Sequence, residues 1–246
     1  MTLAADLATR REDLSNGLER VEERIAKACM AAGRVRTDVH LIVVTKFFPA
    51  TDVELLCGLG VTEIGESRDQ EASAKIAALP PEVRALLHVH FIGQLQTNKA
   101  GSVATYADSV HSIDRERLVG SLERAFAANG REIGALIQVN LAVSADRGGA
   151  EPRGGVSIGG IGALANSIDA ARHLDLLGLM AVAPQSVDPA DAFRLLSRCA
   201  DDLRADHPQA TWISAGMSGD LEQAVVNGAT HLRVGSAILG SRPVLR

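Results

Sequence analysis

His40-Leu41-Ile42-Val43-Val44-Thr45-Lys46 is a short β-type run that ends on a lysine, and a helix signal follows it directly, Thr51 with Glu54 in the spacing of a capping box. Strand then helix is the unit that repeats. Counting outward from this run, residues 40–45, β-type runs fall at 61–65, 88–93, 107–112, 135–140, 175–181, 211–214 and 231–235, eight in all, with helix-type stretches between them. Ser67 with Gln70 reads as a second capping box. Asp114 precedes the stripe Leu118, Leu122, Phe126, and Asp188-Pro189 opens the stripe Phe193, Leu196, Cys199, Leu203 with proline at the first helical position. Alternation of this kind implies parallel pairing with right-handed crossovers, and eight strands are the number a closed barrel requires.

The expected fold is therefore α/β, a single (β/α)8 TIM-type barrel over residues 1–246. An extra N-terminal helix within 1–36 is signalled by Leu14, Leu18, Val21, Ile25 and Ala28 and stops near Gly33. The one irregular stretch, 147–162, is rich in glycine and contains Pro152; it is expected to be a mobile loop after the fifth strand, not a linker between domains.

Composition narrows the function. With 246 residues, 46% hydrophobic and 22% charged, the chain can bury a large core without staples. A net charge of −5 and the absence of a dense Lys/Arg block exclude the footprint of a nucleic-acid binder. Cys29, Cys57 and Cys199 lie far apart in helix-like settings, so buried reduced thiols are expected and no metal is. Residues 1–12 carry charges where a signal peptide would need an apolar core, and no run elsewhere spans a bilayer, so the cytoplasm is the expected compartment.

In such a barrel the chemistry gathers at the carboxyl ends of the strands. Lys46 stands at that end of the first strand, on the same period-two face as Val44 and Ile42. If that face looks inward, a partly desolvated amine becomes a nucleophile able to capture an aldehyde; the competing reading is a strand-end lysine reaching out to water. Ser214-Ala215-Gly216-Met217-Ser218-Gly219-Asp220 follows the seventh strand and Val234-Gly235-Ser236 the eighth. Small residues at a helix start let backbone N–H groups approach an anion, and these two loops are the usual phosphate cradle of the fold. Arg233, in mid-strand, needs a partner inside, either a ligand or a carboxylate such as Glu66. His90 either touches a ligand or bonds a neighbouring strand. No GxGxxG, Walker or HExxH pattern occurs, and Gly216-Met217-Ser218-Gly219-Asp220 breaks the nucleophile elbow at its last glycine.

Taken together, Val44-Thr45-Lys46, Ile64-Gly65-Glu66-Ser67-Arg68-Asp69-Gln70-Glu71, His90-Phe91-Ile92-Gly93-Gln94-Leu95-Gln96-Thr97-Asn98-Lys99, Gly178-Leu179-Met180, Gly216-Met217-Ser218 and Arg233-Val234-Gly235-Ser236 resemble the pyridoxal phosphate homeostasis family, relatives of the alanine racemase barrel domain. The resemblance runs over nearly the whole chain. It implies pyridoxal 5'-phosphate (PLP) in a Schiff base on Lys46, its phosphate among Ser214, Met217, Ser218, Gly235 and Ser236, and Arg233 facing the pyridine nitrogen. Val44, Ser67, His90 and Gly216 complete the implied cofactor shell. The sequence departs from the family at Ser67, where asparagine is common, and at Ala215 and Leu239, where Met and Phe are.

The resemblance further implies a monomeric protein that buffers PLP or delivers it to PLP-dependent apoenzymes, with no catalytic residues. The alternative is an amino-acid racemase, which needs a second acid/base. In racemases of this fold that group is a tyrosine from a domain after the barrel, whereas here the only tyrosine is Tyr106, in an expected outer helix, and the eighth strand is followed only by a short tail to Arg246. A phosphosugar-type barrel enzyme without PLP is a third reading, and it leaves Lys46 unexplained.

Overall fold

The computed structural model describes residues 3–142 and 154–241. In chain order the elements are α1 (Leu3–Ala31), β1 (His40–Val44), α2 (Ala50–Cys57), β2 (Glu63–Glu66), α3 (Asp69–Ala77), α4 (Pro81–Leu86), β3 (His88–Phe91), α5 (Ala100–Val103), β4 (Ser109–Ile113), α6 (Glu116–Asn129), β5 (Ile133–Gln138), α7 (Ile161–Asp169), β6 (Leu174–Met180), α8 (Pro189–Asp206), β7 (Trp212–Ser214), α9 (Leu221–Val226), β8 (His231–Val234) and α10 (Ser236–Leu239). The strands pair in that order, all parallel, and β8 returns to β1 with Ile42 opposite Arg233 to close the barrel. The expected fold class is borne out. Among the described residues no helix is long and apolar enough to cross a membrane.

Two faces of each strand do different work. Val43, Ile64, Val89, Phe91, Val110, Ile213 and Leu232 turn outward and join Leu56, Ile76, Leu122, Phe126 and Leu196 of the helices in one continuous core. Ile42, Val44, Leu136 and Met180 are equally buried but stand apart from it, because they fill the barrel's interior. Most of the hydrophobic stabilisation lies in the outer layer. Helix α1 buries Leu14, Val21 and Ile25 and packs along α9 and α10, where a Cβ on Gly17 would stand 2.5 Å from the Ile238 carbonyl oxygen.

Several local expectations are corrected. Asp188 caps α8 as read, its carboxylate accepting from the Ala190 N–H at 2.9 Å. Neither proposed capping box forms: α2 begins at Ala50 after Pro49, and α3 begins only at Asp69. The proline fixes an extended entry before Thr51. Ser67 is held by its own close passage, since a Cβ on Gly93 would lie 2.1 Å from the Ser67 carbonyl oxygen. Tyr106 belongs to the turn after α5, with its hydroxyl 3.3 Å from Asp69 Oδ1. Of the glycine-rich stretch, 147–153 lies outside the described residues; Val156 then bridges Val139, and α7 has begun by Ile161.

Candidate functional site

At the carboxyl end of the barrel a pocket of about 360 Å³ collects Val44, Lys46, Met217, Ser218, Arg233, Gly235 and Ser236, seven of the residues expected there, on a scale that suits a small ligand. They come from β1, from β8 and from the loops after β7 and β8, which closure of the barrel makes neighbours. Phe47, Phe48 and Ile92 also line it and were not anticipated. Phe47 has φ 71°, a left-handed conformation that strains a bulky side chain, and its N–H donates to the Glu71 carboxylate. This strained turn directly follows Lys46. A larger cavity of about 1100 Å³, lined by Ser67, Arg68, Glu71 and Lys99, shares the wall formed by Phe47 and Phe48. Lys46 does not line it, so the smaller pocket is where its chemistry lies.

One end of the pocket is built for an anion. Ser236 Oγ donates to Ser218 Oγ at 3.2 Å, and the Ala237 N–H approaches the same Ser218 oxygen at 3.4 Å. A Cβ on Gly235 would crowd the Val44 carbonyl oxygen at 3.0 Å, so glycine eases the close approach of the two strand ends. Hydroxyls and bare backbone at that point are suitable donors for a phosphate.

The floor of the pocket carries the most informative group. Arg233, 5% exposed, donates from Nη1 to Ser214 Oγ at 2.7 Å and from Nη2 to the Ala181 carbonyl oxygen at 2.9 Å. Among the described residues it forms no ion pair; Glu66, the carboxylate considered for it, faces α3 and pairs with Lys75 at 2.6 Å. Burial pulls the guanidinium down to about 10, which still leaves it charged at neutral pH. A buried cation bonded only to neutral acceptors has donors left for a ligand.

Below Arg233 a chain of hydrogen bonds runs down the barrel. Arg233 can only donate, so Ser214 Oγ accepts from it, and the serine hydrogen points to His111 Nδ1, 2.9 Å away. His111 then carries its hydrogen on Nε2, 3.0 Å from His90 Nδ1 and 3.2 Å from Ser109 Oγ. His90 in turn holds its hydrogen on Nε2, 3.4 Å from Glu63 Oε2. His90 and Ser214 are thus interior residues beneath the pocket and do not line it. Gly216 is buried behind Met217, its carbonyl accepting from the Arg233 N–H at 2.9 Å, and Ser67 borders only the larger cavity. His111 escaped the sequence reading, although Ser109 and His111 sit two apart in one β-type run, the signal for a polar pair on the inner face.

Burial holds His111 well below its ordinary 6.5, reinforced by the nearby charges of His90 and Arg233. The folded state therefore refuses a proton that the unfolded chain accepts. Stability is fully present above about pH 6.5 and is expected to fall on acidification below it, by about 1.4 kcal/mol per pH unit for each such group. Urea unfolding at pH 7 and pH 5 checks this: His111→Gln should flatten the dependence, and an unchanged slope would refute the assignment.

Comparison with known proteins follows the same outline. The family model described as "Alanine racemase, N-terminal domain" matches residues 18–243. A protein of Mycobacterium tuberculosis named "Pyridoxal phosphate homeostasis protein" is 40% identical over 98% of both chains. This chain belongs to the pyridoxal phosphate homeostasis protein family. Solved structures agree. A structure described as "an unknown protein from Bifidobacterium adolescentis" superposes with a TM-score of 0.85 at 30% identity, covering 94% of this chain and 96% of its own. PipY of Synechococcus elongatus, solved with PLP bound, gives 0.73 at 30% identity, covering 89% of this chain and 100% of its own.

Proposed function

We propose that this chain binds PLP as a Schiff base on Lys46 and serves the intracellular PLP pool, holding and delivering the cofactor without turning over a substrate. The observation that carries the reading is Arg233, a buried guanidinium with no carboxylate paired to it among the described residues, on the floor of a pocket that also contains the Lys46 side chain and the Ser218, Gly235 and Ser236 cradle. The residues fit the cofactor. The two hydroxyls and the close-packed glycine suit its phosphate, Lys46 its aldehyde, and Arg233 the lone pair of its ring nitrogen. PLP relatives support the same assignment by name and by a PLP-bound structure.

When bound, PLP supplies an aldehyde that captures amines and a ring that can accept electrons. Arg233 decides how far the second property is used. A guanidinium does not readily yield a proton, so a ring nitrogen facing it stays unprotonated and the ring is a poor electron sink. Ser214 and His111 keep Arg233 aimed at that place. The only tyrosine, Tyr106, is buried against Asp69 and does not line the pocket, which favours the carrier reading over a racemase that uses a tyrosine base here. In this reading the protein is one barrel domain acting as a monomer in the cytoplasm, and its partners are PLP-dependent apoenzymes.

The test is direct. Protein mixed with PLP and reduced with borohydride should yield one pyridoxyl-labelled peptide, the one containing Lys46; a label elsewhere would overturn the assignment. Incubation of the loaded protein with L-alanine or L-serine should give no D-isomer, whereas turnover at about 1 per second or faster would defeat the non-catalytic reading.

A further inference from the structure

We propose that the opposite, amino-terminal mouth of the barrel binds a divalent transition-metal ion of the zinc class through His40, Glu63 and His231. These are the first residues of β1, β2 and β8, and β1 lies between the other two, with His40 directly opposite His231. One ligand atom from each lies within 4.8 Å of the others. Interiors of such barrels are ordinarily filled by branched apolar side chains. Here that layer holds imidazoles and a carboxylate.

His231 has the preparation of a metal ligand. It is 1% exposed, and its Nδ1 lies 2.8 Å from Thr230 Oγ1. That hydroxyl accepts from the Ile213 N–H at 2.8 Å and turns its own hydrogen toward the Ile213 carbonyl oxygen at 3.4 Å. With the hydroxyl hydrogen on Ile213, the imidazole donates from Nδ1 and keeps a lone pair on Nε2, the tautomer and outer bond that metal-binding histidines use. Trp212 and His40 both stack with the ring, centroids 3.8 and 4.7 Å away, which fixes its plane. Among the described residues Nε2 is buried with no hydrogen-bond partner, and Glu63 Oε2, also buried, has only the long 3.4 Å approach of His90 Nε2. Buried acceptors so poorly supplied with donors are costly to enclose. An ion between them satisfies both.

The third ligand supplies adjustability. The His40 side chain is half exposed, and its Nδ1 stands 3.2 Å from Glu63 Oε1. Bonds of roughly 2.0–2.2 Å to nitrogen and oxygen require the three atoms to draw together, and a ring at the solvent edge can swing to do so. Two imidazoles and one carboxylate favour zinc, nickel or copper over magnesium or calcium, and leave a coordination position open to water. No spacing in the sequence announces the site, because each ligand comes from a different strand.

The site lies at the far end of the barrel from Lys46, so it stands or falls independently of PLP. Untagged full-length protein carrying its cofactor should retain stoichiometric Zn²⁺ through gel filtration, and Co²⁺ in its place should give the intense visible spectrum of a low-coordinate site. His40→Ala, an edge substitution that leaves the fold intact, and Glu63→Gln should each weaken Zn²⁺ binding in calorimetric titration by about tenfold or more. His173→Ala, which removes the His173–Glu123 pair at 2.9 Å on the outside of the barrel, should leave it unchanged. The cofactor's absorption should not respond to the metal. Failure to retain Zn²⁺, or retention indifferent to His40→Ala, would overturn the proposal.

Discussion

Lys46→Ala is expected to abolish borohydride-stable attachment of PLP and to weaken its binding by about tenfold or more, while the unfolding free energy changes by less than about 1 kcal/mol. The asymmetry follows from where the residue stands. Its side chain is only partly buried, at the rim of the pocket, and the turn around it is held by groups the substitution leaves in place: the Phe48 N–H on the Thr45 carbonyl at 3.1 Å, and the Phe47 N–H on Glu71. The phosphate cradle and Arg233 also survive, so residual, non-covalent PLP binding should remain. Absorption spectroscopy with PLP and urea unfolding of both proteins measure the two halves. A variant that still captures PLP covalently would show that another amine does the work; one that fails to fold would show that the lysine is structural.

Lys75→Met should do the reverse, with little direct effect on the ligand groups and a loss of about 3–5 kcal/mol in stability. Lys75 lies between α3 and the barrel, 6% exposed, and donates to Glu66 Oε1 at 2.6 Å, to Glu71 Oε1 at 3.2 Å and to the Thr45 carbonyl oxygen at 2.8 Å. Glu66 is wholly buried; its other donor is the Thr45 hydroxyl at 2.7 Å. Removing the ammonium leaves a carboxylate enclosed without its counter-charge.

The pH dependence has a definite sign. Burial already raises Glu66 above its ordinary 4.5, against the opposing pull of Lys75. Without Lys75 the rise is larger, so the folded state retains a proton that the unfolded chain releases. The variant's stability should then fall as pH rises from about 4.5 through the folded-state value, making the deficit greatest at neutral pH and smallest in acid. Unfolding at pH 5 and pH 8 reads this, and Lys75→Met with Glu66→Gln should recover part of the loss. A deficit under about 1 kcal/mol at pH 8 would show that the pair contributes little.

These two lysines mark what was legible in the sequence. The eight strands were readable because each is a short apolar run bounded by helix signals, and Lys46 was readable because it terminates one of them. Lys75 was not, since nothing in Asp69–Ala77 distinguishes a helical lysine that faces water from one that faces a buried glutamate on the strand before. The capping boxes at Thr51 and Ser67 fitted the local pattern and lost to Pro49 and to the crowding at Gly93, which are backbone constraints that the pattern does not weigh. His90 admitted two readings at the outset. Its partners, His111, Ser109 and Glu63, come from β4 and β2, and only the pairing of β3 with both makes them neighbours. Arg233 was recognised as needing company inside, but its bond to Ser214 depends on the register of β7 against β8, which no single strand encodes.

The seam where β8 meets β1 has a consequence for biogenesis. Lys46 leaves the ribosome well before Arg233, Gly235 and Ser236, and the pocket needs both sides of that seam. With the cofactor on Lys46 as proposed, a growing polypeptide cannot retain it there until β8 has docked against β1, so a reactive aldehyde is kept off half-made barrels.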